Sequence, residues 1–180
     1  MPTPEWELAG TAAAPVLALL WARATARRCD RPLPDAPPAQ VLQAVRERLS
    51  APGAVVLIGW LDGRPVACGV GTPLPPGADD GRGAVVSLVS LVSLVSLVSL
   101  VSLVAVAPER WGQGLGRAVL GRLEEELVRA GWTHGELQVL RSNDPAIGSY
   151  EAAGWRFDRL LTPHRDGPQV TCAKARLAER

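Results

Sequence analysis

Apolar positions recur along this chain at two spacings, and each spacing marks a kind of element. The uncharged run that opens at Leu8 and reaches Ala22 reads as a helix. Pro15 sits in its first turn, and Val16, Leu19, Leu20 and Ala24 follow at helical intervals as far as Arg27 and Arg28. Basic residues suit that C-terminal end. Prolines between 30 and 38 force a loop, after which Val41, Leu42, Val45 and Leu49 predict a second amphipathic helix, stopped by Pro52 and Gly53. Apolar runs at 54–60 and 65–72 flank Leu61, Asp62, Gly63 and Arg64, where Asp-Gly signals a hairpin between two strands. A Pro/Gly-rich loop covers 73–83. Farther on, Leu115, Val119, Leu123 and Leu127 stand four apart and predict a helix closing at Gly131. Leu137, Val139 and Leu140 predict a strand, and Asp144 with Pro145 the cap and first turn of a short helix ending at Gly154. Closing strands are expected near Trp155 and over 169–173. This is an α/β (α+β) order: a mixed, mainly antiparallel sheet flanked by helices, in one domain spanning 1–180.

One stretch obeys neither spacing. Residues 87–104 are consecutive copies of Ser-Leu-Val. In a helix, three residues turn about 300°, so the serines hold no constant face. In a strand, an odd period sends successive serines to opposite faces. A single copy, the last, suffices for a strand of ordinary length between Ala84 and Pro108; the others, at about 87–101, read as an insertion whose removal should spare function. The uncharged run from Val85 to Ala107 is long enough to raise a membrane span, but serine at every third position weakens it, and the run feeds a glycine-rich loop that needs a strand before it. No membrane association is expected.

Composition narrows the function. With 180 residues, 47% of them hydrophobic, the chain can bury an ordinary core. Its 19 basic and 18 acidic residues are dispersed and nearly cancel, which argues against nucleic acid or anionic lipid as a partner. Cys29, Cys68 and Cys172 stand far apart with no CxxC pair, so neither a disulfide framework nor a zinc site is expected. Glu5 and Glu7 stand where a signal peptide needs positive charge, and a cytoplasmic location fits.

Chemistry concentrates in the run from Val104 to Leu120: a strand, a proline turn, three alternating glycines, then a helix. Gly112, Gly114 and Gly116 let a backbone approach a ligand closely, and the helix start offers unpaired N–H groups to anionic oxygens, which suits a pyrophosphate. The alternative is that the glycines serve tight packing. A Walker loop would require Gly-Lys-Ser/Thr, and a dinucleotide GxGxxG would need glycine where Arg117 stands.

This run resembles the acetyl-CoA loop of the GNAT superfamily of N-acetyltransferases, of the form V-x-P-x-x-(Arg/Gln)-x-x-G-x-G, at Val106, Pro108, Gly114 and Gly116; Trp111 departs from it at the Arg/Gln position. Asn143, Tyr150, Gly154 and Trp155 match the family's second motif, and the resemblance is firm over 54–157. It implies a GNAT-like fold and acetyl-CoA as co-substrate. Backbone groups of Val104, Ala105 and Val106 would hold the acetyl and pantetheine end. The loop Trp111, Gly112, Gln113, Gly114, Leu115, Gly116 and Arg117 would hold the pyrophosphate, and Asn143 the pantetheine arm. Tyr150 would be the general acid that protonates the departing thiolate; its alternative is to pack a helix on the sheet.

The base is less defined. Gln138 stands where some relatives carry glutamate, so Glu136, two residues earlier on the same strand face, is the candidate base, acting through water, or else a solvated carboxylate. His134 and His164 read as surface residues, while Trp60 and Trp155 read as core. The implied reaction is direct transfer of acetyl from acetyl-CoA to the amine of a small molecule or peptide, with no acylated cysteine and no metal. The alternative is an acyl-CoA-binding module impaired in catalysis. A homodimer is compatible with either.

Overall fold

The computed structural model describes residues 3–73, 83–86, 103–132, 134–160 and 169–174. Its strands are β1 (Glu5–Leu8), β2 (Val55–Leu61), β3 (Arg64–Pro73), β4 (Gly83–Val86), β5 (Val104–Val106), β6 (His134–Leu140), β7 (Arg156–Leu160) and β8 (Gln169–Lys174). Its helices are α1 (Ala14–Arg28), α2 (Ala39–Leu49), α3 (Leu115–Arg129) and α4 (Asp144–Ala152). The strands form one sheet in the order β1-β2-β3-β4-β6-β8-β7, with β5 also on β3. All pairings are antiparallel except β4 with β6.

Strand alternation sorts the core into two layers. Val56, Ile58, Cys68, Val70, Leu103 and Ala105 pack against Leu17, Trp21 and Val45 of α1 and α2. Their neighbours Leu57, Ala67, Val104, Leu137 and Val139 pack on the opposite face against Val119, Leu123, Leu127 and Tyr150 of α3 and α4. The four-residue stripe of α3 is therefore its buried face, as its spacing predicts. Two glycines of β3 lie beneath it: a Cβ on Gly69 would stand 3.1 Å from Leu123, and one on Gly71 2.6 Å from Leu127. The helix thus rides close on the sheet.

The hairpin forms as its Asp-Gly pair dictates, with Asp62 at φ 51 and Gly63 at φ 70, the left-handed pair of a type I′ turn. Two sequence expectations are corrected. The run from Leu8 does not start as helix: Glu5–Leu8 is an edge strand on β2, and α1 begins only at Ala14, after Gly10 and a 3-10 turn. The cause is non-local, because Gly59 of β2 has no side chain and the Trp6 ring fills that place; a Cβ there would be 2.6 Å from it. At the other correction, Asn143 and not Asp144 is the N-cap of α4, its carbonyl accepting from Ala146 and Ile147 at 3.0 Å each.

Much of the Ser-Leu-Val segment, with the expected loop at 74–82 and His164, lies outside the described residues. Its two borders do not. Gly71, Thr72 and Pro73 face Val86, Val85 and Ala84 of β4, whereas Ala67, Cys68 and Gly69 face Val106, Ala105 and Val104 of β5. Val70 between them donates its N–H to the Leu103 carbonyl at 2.6 Å. β4 and β5 are therefore two halves of one strand line along β3, joined by residues 87–102.

Candidate active site

The site is built where that strand line loses a neighbour. β6 runs parallel to β4 and pairs with it at Gly83–His134, Ala84–Gly135 and Val85–Glu136. Beyond those pairs the two lines part: among the described residues β5 pairs with β3 alone, while Leu137–Leu140 of β6 stay paired only with β8. Among the described residues no strand pairing joins β5 to β6, and the gap between them is the candidate ligand cleft.

The ladder on β3 determines what β5 shows to this cleft. Leu103 accepts from Val70, and Ala107 donates to the Val66 carbonyl at 2.8 Å. In an antiparallel ladder the residues between such pairs point their backbone groups the other way, so Val104 and Val106 turn their N–H and C=O toward β6. Val104 and Ala105 are buried and Val106 half-buried. An extended ligand carrying amides can use such an edge as an added strand would.

At the end of β5 the chain makes a 3-10 turn, Pro108–Arg110, and enters the glycine loop. Gly112 (φ 76) and Gly114 (φ 75) need glycine for their left-handed backbone, and Gly114 is the N-cap of α3 with no side-chain cap. Gly116 is different. It lies inside the helix, and a Cβ on it, as on Gly112 and Gly114, would meet nothing within 4 Å. Packing therefore explains none of the three glycines, and Gly116 leaves open the surface beside the uncapped N–H groups of α3.

The remaining loop side chains are occupied. The Trp111 indole Nε1 donates to the Val106 carbonyl at 2.9 Å, Leu115 is buried with Leu61 and Val66, and Arg117 donates to the Ala152 carbonyl at the end of α4, 3.2 Å away. Gln113 is half-buried. What the loop offers a ligand is thus backbone.

From the other side of the cleft, β6 leads through Leu140 into α4. Asn143 is half-buried, and its side chain makes no cap bond. Tyr150 is 3% exposed and packs in the same apolar cluster as Val104, on the α3 side of the sheet. Glu136, half-buried, is the alternation partner of Leu137 and so lies on the opposite face. The two candidate catalytic groups do not share a face. Gln138 pairs through its backbone with Thr171; its side chain and that of His134 lie outside the described residues.

One anchor escaped the sequence reading. Trp155, fully buried as expected, donates Nε1 to Glu124 of α3 at 2.7 Å, and Glu124 is itself only 7% exposed. This bond ties the second motif to the helix of the first. Trp60 is only half-buried. Among the described residues no cluster of His, Cys, Asp or Glu could hold a metal, and no helix is long and apolar enough to cross a membrane.

A parallel pair left open among the described residues, each strand leading into a helix, with uncapped backbone N–H groups at the start of one of them, is an arrangement that could hold an extended, phosphate-bearing ligand. Residues 17–155 match the Acetyltransferase (GNAT) family, and the chain belongs to it. No curated protein matches the sequence. Among solved structures, the ribosomal-protein-S18-alanine N-acetyltransferase from Escherichia coli is similar at 20% identity and TM-score 0.65, over 94% of this chain and 91% of that one. A putative acetyltransferase from Salmonella typhimurium, solved with its cofactor acetyl-CoA, is similar at 15% identity and TM-score 0.67, over 99% and 96%. The ribosomal-protein-alanine N-acetyltransferase from Brucella melitensis is similar at 18% identity and TM-score 0.67, over 95% and 99%. These likenesses show the fold, including its mixed, mainly antiparallel sheet.

Proposed function

We propose that the chain transfers the acetyl group of acetyl-CoA directly to the amine of a small molecule or peptide. The observation that carries this reading is the edge of β5 that no strand covers among the described residues, with Val104 and Val106 turned away from β3, running without a break into a glycine loop that packing does not require. An amide-bearing pantetheine arm lies along the first and a pyrophosphate on the second, with the Asn143 side chain toward the arm.

The amine nitrogen attacks the thioester carbonyl, and the backbone N–H groups of β5 stabilise the oxyanion that forms. Collapse breaks the carbon–sulfur bond and expels a thiolate, which the Tyr150 hydroxyl protonates. The proton lost by the amine passes through water to Glu136 on the acceptor side of the sheet. None of Cys29, Cys68 and Cys172 lies in either motif, which fits direct transfer without an acyl-cysteine. Such an enzyme works in the cytoplasm, where acetyl-CoA is available, as a monomer or a homodimer.

Acetyl-CoA should raise the melting temperature by mass action, and CoA release should appear with some member of a broad amine panel. Tyr150→Phe should keep acetyl-CoA affinity and lose about 100-fold or more of its turnover. Absence of a thermal shift at saturating acetyl-CoA overturns the reading. A shift with no turnover on any amine supports instead a binding module impaired in catalysis, for which Gln138, standing where some relatives carry glutamate, speaks.

A further inference from the structure

We propose that Trp111 is a positioning residue that fixes the distance between the two halves of the ligand site, the β5 edge and the glycine loop. This rests on the cleft being the acetyl-CoA site. The chain leaves β5 at Val106, makes its turn at Pro108–Arg110, and folds the Trp111 side chain back so that the indole N–H meets the Val106 carbonyl at 2.9 Å. That carbonyl is one of the groups β5 turns away from β3.

Burial holds the ring only in part, because Trp111 is 45% exposed. The hydrogen bond to Val106 adds a directional restraint. The glycine segment that follows has no packing of its own at Gly112 or Gly114, where even an added Cβ would touch nothing within 4 Å. Its two ends are its anchors: Leu115, buried among Leu61 and Val66, and Trp111 on the strand. The Trp111 backbone N–H also meets the Pro108 carbonyl at 3.3 Å, so removing the indole N–H loosens this end by the shorter of its two hydrogen bonds.

A carbonyl oxygen has two lone pairs, so the indole takes one and leaves the other to a ligand amide. A ligand that spans both halves gains most from a fixed spacing, because its second contact is then made at high effective concentration. A ligand that occupies one half gains nothing. Trp111 thereby favours molecules that join an amide arm to a pyrophosphate, the chemical class of CoA thioesters, over either fragment alone.

The test compares wild type with Trp111→Phe, which keeps an aromatic ring and deletes the donor, using calorimetric or NMR titration with CoA, pantetheine and ADP. Loss of one modest hydrogen bond should weaken CoA by about 3- to 10-fold. Pantetheine and ADP should stay within about twofold. Trp111→Leu, a second variant without the donor, should give the same pattern, and both should melt close to wild type because the ring is exposed. Equal weakening of all three ligands would mean direct contact with the ligand, tighter CoA binding would mean that the indole obstructs the edge, and unchanged CoA affinity would mean no role; each overturns the proposal. Failure of wild type to bind CoA would instead sink the underlying reading before any variant is compared.

Discussion

Joining Val86 directly to Leu103 by deleting residues 87–102 should leave the fold and the cleft intact and make the protein more stable. Val86 faces Gly71, the Leu103 carbonyl accepts from Val70, and Val104 faces Gly69, so the two borders stand on successive residues of β3. One peptide bond spans that step, and every pair of β4 with β3 and β6 survives. Closing a connection of this length costs about 2 to 3 kcal/mol in chain entropy, which the deletion returns. For a domain of this size that corresponds to a rise in Tm of about 4 to 12 °C. Deleting 87–101 instead removes whole Ser-Leu-Val copies but keeps Ser102. That surplus residue must form a bulge or slip β4 by one position, turning its side chains to the wrong faces. The entropy gain is nearly the same, so the difference between the two deletions isolates register from length. Thermal melts and acetyl-CoA titrations on both variants decide the matter. If the 87–102 deletion melts no higher than the parent, or loses the ligand, the one-strand reading of β4 and β5 is wrong.

Gly116→Ala should separate stability from binding: with open space around the position and a helical backbone, alanine should stabilise by about 0.5 kcal/mol in urea melts, yet weaken acetyl-CoA by tenfold or more by filling the open surface. Unchanged affinity would return Gly116 to a neutral helix position. Trp155→Phe deletes the indole N–H that meets the buried Glu124 carboxylate, and should cost about 1.5 to 3 kcal/mol in the same assay; a loss under about 0.5 kcal/mol would show the bond to be idle. Burial pushes the Cys68 thiol up from 9.0 to about 12, opposed by a weaker hydrogen bond from the Ala105 backbone. The unfolded thiol ionises first, so this contribution to stability is full below pH 9 and lost progressively as pH rises toward 12. At pH 8, iodoacetamide should modify exposed Cys29 and leave Cys68 untouched in peptide maps; rapid labelling of Cys68 would contradict its placement.

How much of this was legible in the sequence depended on the range of the signal. Helices α2 and α3 follow from apolar spacing within their own residues, and the β2–β3 turn from Asp62 and Gly63, because those causes are local. The glycine loop was readable for the same reason, as a contiguous segment with its own chemistry, whereas the Asn143–Trp155 segment stood out only through its resemblance to the family's second motif. β1 was not, since Trp6 finds its place only through Gly59, and the exposed Leu8 (60%) gave its edge strand no alternating pattern. Glu124 carries no signal in the sequence beyond its place beside the buried stripe of Leu120, Leu123 and Leu127, and its partner is thirty-one residues away. The cleft itself left no local trace, because it is an absence of pairing between β5 and β6.

The close seat of α3 on Gly69 and Gly71 makes that helix a lever. Val119 and Leu123 stand over Gly69, and Leu127, toward the far end, over Gly71. A side chain added under Leu127 must displace the Leu127 side chain or raise that end of the helix, and a raised end would tip α3 and move the glycine loop at the other end. Positions 71 and 127 are therefore sterically coupled: a side chain at the first calls for a smaller one at the second, and the height of the glycine loop can be set by residues far from it.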